Sequence, residues 1–302
     1  MPDAVVALLW AVAAPPLVLA LGPLLDGMGR RVRARLEARV GPPLSQGYLD
    51  LAKLAIKENV VSTAGSIAVV MPYLALASAA SAALLLPLGG HTPLGFAGDV
   101  LVLLYLLGLS SAAFAIGGAG SGSAYAFLGA SRELVLLLLV EPVVACAFLV
   151  LAVQAGTFHL DGIIAWRQAH GLTVASSLAA AAVIVAMMAY LGRVPFDLAE
   201  AEQELTGGSL VEFAGRPLAM YRWALFTRWL VAAWLVVEAF APSPFRGVLG
   251  AAVTVVGVLL LFGLLSALSV LFARLRLDEA RKVLVQVGLL TLFAIAFAVI
   301  GA

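Results

Sequence analysis

Eight apolar runs set the limits on how this chain folds. They cover about residues 4–25, 67–88, 99–118, 134–154, 174–191, 221–240, 249–272 and 283–301, each close to the roughly 20 residues an α-helix needs to cross the hydrocarbon core of a bilayer. Lipid offers no hydrogen-bond partner, so a spanning segment has to satisfy its own backbone, and a helix does so. The expected fold is an all-α integral membrane protein, one polytopic domain over residues 1–302, with eight transmembrane helices and two amphipathic helices in the first cytoplasmic loop. A chain that is 63% hydrophobic and 12% charged, with mean hydropathy +1.09, excludes an ordinary soluble domain. The first run has no basic residue ahead of it and no clear cleavage site, and it leads straight into arginines. It therefore reads as a retained span and not as a signal peptide.

Basic residues orient the spans. Segments 26–66, 119–133, 192–220 and 273–282 carry seven, one, two and four Lys or Arg, against none, one and one in 89–98, 155–173 and 241–248. Positive charge stays on the cytoplasmic side, so the first set is expected inside and both termini outside. The longest inner segment is patterned. Arg31, Arg35 and Arg39 recur every four residues beside Val32, Leu36 and Val40, and Gly41-Pro42-Pro43 closes the stretch. In a second stretch, Tyr48 to Glu58, Asp50, Lys53 and Lys57 share a face. Two such helices suit the membrane interface, with their cations toward headgroups or a docked partner. Anchoring to anionic lipid alone gives the same pattern, although a loop of 41 residues is more than an anchor needs.

Acidic residues concentrate in Arg193 to Leu205. Pro195 suits a first helical position, which puts Asp197 in the first turn, where the helix dipole favours negative charge. Asp197, Glu200 and Glu204 then line one face at i, i+3 and i+7, with Glu202 pointing elsewhere. A solvated acidic loop and a proton path both fit this spacing. Thr206-Gly-Gly-Ser209 leaves the stretch free to move. Glu141 stands inside the fourth apolar run, beyond Arg132-Glu133 at its inner end. An ionisable residue at that depth is costly unless it faces the bundle interior. It is either a relay carboxylate or a structural partner for backbone freed by Pro142. Glu238 lies near the outer end of its run and can snorkel; no function attaches to it.

Cofactor signals are lacking. The single cysteine, Cys146, cannot hold an iron–sulfur cluster, and His91, His159 and His170 show no metal-ligand spacing. Gly117 to Gly122 lacks the strand and the Lys-Ser/Thr of a phosphate loop. A net charge of +1 gives no reason to expect nucleic acid. Any redox cofactor is expected in a partner, and this chain is expected to be a non-catalytic subunit.

The residues also carry a resemblance. Arg39-Val-Gly-Pro42, Lys53-Leu-Ala-Ile-Lys-Glu58, Gly129-Ala-Ser-Arg-Glu133, Val140-Glu-Pro142 and Pro195-Phe-Asp-Leu-Ala-Glu-Ala-Glu-Gln-Glu-Leu205 resemble the eight-span membrane subunit shared by respiratory complex I and the energy-converting nickel–iron hydrogenases. The likeness runs essentially end to end. The complex I form usually reads Gly-Pro-Asn in the first loop and Pro-Phe-Asp-Leu-Pro-Glu-Ala-Glu-Ser-Glu-Leu in the acidic one. The departures at Pro43, Ala199 and Gln203 are similar to the formate hydrogenlyase, hydrogenase-four and carbon-monoxide-linked hydrogenase group.

The resemblance implies a subunit of the prokaryotic cytoplasmic (inner) membrane that binds no cofactor itself. Its partners would be the hydrogenase large and small subunits, an iron–sulfur subunit and an antiporter-like membrane subunit, besides lipid. Carried over by residue, the proton path and coupling role falls to Glu133, Glu141, Asp197, Glu200, Glu202 and Glu204. Docking of the peripheral arm falls to Arg35, Arg39, Lys53, Lys57 and Arg193. A quinone-site subunit of respiratory NADH:quinone oxidoreductase and a free-standing ion transporter are the alternatives. The second would favour an internal inverted repeat, and none is clear.

Overall fold

The computed structural model describes residues 2–59, 66–87, 92, 94–198, 208–245 and 247–301. The expectations for His91, Glu200, Glu202, Glu204 and Thr206 lie outside the described residues. In chain order the α-helices among the described residues are α1 (Pro2–Leu36), α2 (Gln46–Ile56), α3 (Ser66–Ala82), α4 (Asp99–Ala119), α5 (Ala124–Ala155), α6 (Leu160–His170), α7 (Val174–Tyr190), α8 (Gly215–Phe240), α9 (Gly247–Leu271) and α10 (Leu277–Ile300). No strand occurs among the described residues, and the chain is an all-α membrane protein. Among the described residues, seven helices are long and apolar enough to cross a bilayer. Of the eight spans expected, the remaining one is α7, a shorter apolar helix of 17 residues that rises about 26 Å.

Helix α8 organises the bundle. In its most apolar stretch 83% of residues are buried, against 28% in α9 and in α10, so α8 is the interior helix and the other two face lipid. Around α8 pack α1, α2, α3 and α9, while α5 joins α4, α7 and α10. At Gly22 an added Cβ would stand 3.0 Å from the backbone of Phe226, so α1 crosses α8 at backbone contact. The connection after α7 is wedged in the same way. A Cβ at Gly129 of α5 would lie 2.6 Å from Gly208, and one at Gly118 of α4 would lie 2.7 Å from the Ser209 carbonyl. Those two glycines admit the backbone of 208–209 between the helices.

Several boundaries differ from the sequence expectation. The arginine-rich stretch is no separate interfacial helix: α1 runs on without a break to Leu36, and its 35 residues extend about 52 Å, well beyond a hydrocarbon core of about 30 Å. The turn that follows sets Ala38 at φ +57°, and Arg39 lies past the helix end, 3.5 Å from Glu37. The second stretch is helical as α2. It buries Gly47 and Leu51 and exposes Leu49, Lys53 and Ile56, so its outward face mixes apolar and basic residues. Arg30 holds α2 to α1 by pairing with Asp26 at 2.6 Å and Asp50 at 3.0 Å. The Tyr48 hydroxyl donates to the Ala20 carbonyl, and desolvation pushes that phenol up from its ordinary value, keeping it a donor.

At the opposite end, α6 fills what reads in sequence as a plain connection. The Asp99 carboxylate accepts from Leu160 N–H at 2.8 Å, and the His159 ring accepts from Asp161 N–H, so both cap its first turn. Buried Arg167 donates to the carbonyls of Gly171 and Phe240 and to Ser176 Oγ, clasping α6, α7 and α8 together. Glu238 does not snorkel. It is fully buried on α8 and accepts from Thr254 Oγ1 of α9 at 2.6 Å.

Candidate functional site

Ionic residues on four elements converge at the end of the bundle where α1 and α7 terminate. They line a chamber of about 630 Å³. Asp26, Arg30 and Arg33 come from α1, Glu133 from α5, and Arg222 and Arg228 from α8, while Arg193 and Asp197 come from the connection after α7. Phe114, Phe196, Phe213 and Trp229 supply aromatic wall between the charges.

Over residues 191–198 the connection that carries Arg193 and Asp197 is pinned and not helical. Phe196 and Leu198 are buried, and the Pro195 carbonyl accepts from Leu275 N–H at 3.0 Å. Pro195 therefore does not open a helix. Asp197 pairs with Arg274, from the connection between α9 and α10, at 2.7 Å. Arg193 is only 4% exposed; its guanidinium stacks 4.7 Å from the Trp229 ring and 5.0 Å from Phe262. That burial takes it off any docking surface and makes it part of the chamber wall. Arg35, Arg39, Lys53 and Lys57 are exposed at the same end of the bundle.

The carboxyl of Glu133 accepts from the Ser209 hydroxyl at 2.8 Å and lies within electrostatic reach of Arg228. Arg228 in turn donates to Ser111 Oγ at 2.6 Å and sits over the rings of Phe114 and Tyr190 at 5.0 and 5.2 Å. Held by one hydrogen bond and two aromatic faces, the guanidinium is a fixed positive charge beside Glu133.

Glu141 stands apart from this group. It lines a second cavity of about 270 Å³ whose other walls, from α4, α5, α7 and α8, are almost wholly apolar. At Gly108 of α4 an added Cβ would collide with the Glu141 carboxyl, so glycine there opens the notch in which the acid sits. The sequence expectation thus divides: Glu133 and Asp197 meet in the chamber, and Glu141 faces a separate cavity deeper along α5. Arg228, Ser111, Arg33 and Tyr190 join the site without having been singled out. Arg228 carries a signal that could have found it, an ionisable residue inside an apolar run.

A family model described as NADH dehydrogenase matches residues 8–300. The chain is 38% identical over 241 residues to hydrogenase-4 component C of Escherichia coli K12, covering 78% of this chain and 75% of that protein. It is 36% identical over 231 residues to formate hydrogenlyase subunit 4 of the same organism, with 74% and 75% covered. Subunit 8 of the NADH-quinone oxidoreductase of Thermus thermophilus is 31% identical over 254 residues, with 76% and 69% covered. Among solved structures, a chain of the archaeal membrane-bound sulfane sulfur reductase, a respiratory membrane complex, superposes with TM-score 0.87 at 26% identity. That match covers 97% of this chain and 99% of the other.

Proposed function

The chain belongs to the NADH dehydrogenase family, and from that premise we propose that it is the membrane coupling subunit of a complex I-like nickel–iron hydrogenase. In this reading the end with the chamber faces the cytoplasm of a prokaryotic cell and both termini lie outside. The peripheral arm, with the hydrogenase large and small subunits and an iron–sulfur subunit, docks over Arg35, Arg39, Lys53 and Lys57. An antiporter-like subunit sits alongside in the membrane. All clusters and the nickel–iron centre belong to those partners, and this chain supplies charge and protons.

The observation that carries the reading is the placement of two carboxyls on α5. Glu133 opens to the ionic chamber, and Glu141 faces a nearly apolar cavity about 12 Å further along the same helix. Electron transfer in a docked arm changes the charge above the chamber. The Asp197–Arg274 ion pair and Glu133, within the electrostatic reach of Arg228, lie where they feel that change, and the proton affinity of neighbouring acids follows. Coupling of this kind is a differential stabilisation of two states. Glu141 passes the result to the adjoining subunit.

The test is Glu141→Gln in the intact complex reconstituted into liposomes. Gln keeps the side-chain volume in the notch beside Gly108 and removes the titratable proton. Assembly and redox turnover should persist while ion uptake falls at least about tenfold. Unchanged uptake would sink the coupling role.

A further inference from the structure

On α4 and α8 the chamber and the Glu141 cavity lie one helical turn apart, and on α5 their walls meet, Val140 lining the first and Glu141 the second. On α4, Ser111 lines the chamber and Gly108 the cavity; on α8, Arg228 lines the chamber and Ala232 the cavity. Steps of three and four residues amount to about 5 Å along a helix axis. Among the described residues, Tyr190 at the end of α7 is the one side chain that lines both spaces.

Its surroundings are unlike those of a tyrosine that merely fills space. The ring lies under the Arg228 guanidinium at 5.2 Å. The hydroxyl is enclosed and makes no hydrogen bond of ordinary geometry among the described residues. Ser111 lies beside it, and it sits within electrostatic range of both Arg228 and Glu141. Buried hydroxyls normally have a partner, so one left without a regular bond between two cavities is placed to exchange partners.

We propose that Tyr190 bridges protons between the chamber and Glu141, an inference that rests on the coupling role assigned above. The fixed charge of Arg228 repels a free hydronium ion from this boundary. A proton crosses only by being handed through a neutral group that both donates and accepts, which a phenol does. The Tyr190 O–H bond breaks toward the Glu141 carboxylate while the same oxygen takes a proton from a water or carboxyl on the chamber side. Glu141 becomes the carboxylic acid, the phenol ends neutral as it began, and one positive charge has moved from the chamber to Glu141. Gly108 contributes by letting the Glu141 carboxyl sit against α4, where the cavity wall is open.

The experiment compares Tyr190→Phe, Tyr190→His and Glu141→Gln in the whole complex in liposomes, with proton uptake followed by an entrapped pH dye. Redox rate is read separately with an uncoupler present. Tyr190→Phe keeps the ring under Arg228, so uncoupled redox rate should stay near wild type while proton uptake falls at least about tenfold. Tyr190→His restores a proton carrier, and uptake, but not the uncoupled redox rate, should then titrate between about pH 5 and 8. Wild-type uptake in Tyr190→Phe, alongside loss in Glu141→Gln, overturns the bridge and leaves the coupling reading standing. Wild-type uptake in Glu141→Gln overturns the coupling reading itself. Should Tyr190→Phe fail to assemble, Tyr190→His decides: uptake with no titration of its own in that range overturns the bridge.

Discussion

Glu141 and Glu238 stand in apolar runs and Glu133 at the edge of one, and their neighbours give the three acids different work. Glu133 has a hydroxyl donor and a guanidinium beside the chamber, so its proton can be exchanged. Glu141 has the open notch at Gly108. Glu238 accepts from Thr254, which makes it a clasp between α8 and α9. Thr254→Val should strip the clasp and lower stability by about 1–2 kcal/mol, read as thermal unfolding in detergent, whereas Glu238→Gln should be nearly silent because the amide oxygen still accepts. An equal loss in both variants would mean that the carboxyl itself, and not only the hydrogen bond from Thr254, matters there. Much of the acid inventory is legible in the sequence, since a carboxylate in an apolar run announces itself. Arg228 announces itself on the same ground. Tyr190 does not, because a tyrosine at the end of an apolar run is ordinary at a membrane interface. Its place depends on which two spaces it separates, and that is a property of four packed helices.

At the scale of elements, hydropathy fixes where helices cross lipid and says little about where they stop. α1 continues past its apolar run through Arg30 to Arg35 because arginine is a good helix former and nothing breaks the helix before Leu36. The Pro195 segment shows the opposite failure. Its sequence favours a helix start, yet the buried Phe196 and Leu198 and the bond from Leu275 hold it in an irregular course, so tertiary packing wins over a local signal. Glycine spacing is likewise silent about partners: Gly118 and Gly129 matter because the chain at 208–209 passes between them. Gly129→Leu should push that passage outward, break the Ser209–Glu133 hydrogen bond and cost about 1–3 kcal/mol through overpacking. Thermal unfolding in detergent is the check, and a wild-type melting temperature would show that α4 and α5 part freely there.

For the molecule as a whole, Arg35, Arg39, Lys53 and Lys57 are exposed at the chamber end, and the docking proposed there should be sensitive to salt. Lys53→Glu with Lys57→Glu should leave the bundle folded and shed the peripheral arm at lower ionic strength than wild type, because charge near a surface acts within about a Debye length, roughly 10 Å at 0.1 M salt. Arm retention unchanged across a salt series would move the docking surface elsewhere. The family relationship carries the fold and the setting in a multisubunit membrane complex. The central claim is narrower, that the arm this chain holds is a hydrogenase. Capturing the complex through this chain in mild detergent, identifying the partners by mass spectrometry and assaying hydrogen evolution tests it most directly. The account predicts a nickel–iron subunit and hydrogen production in the captured complex. Quinone- or NADH-reactive partners with no hydrogen would contradict it and make the chamber a quinone site.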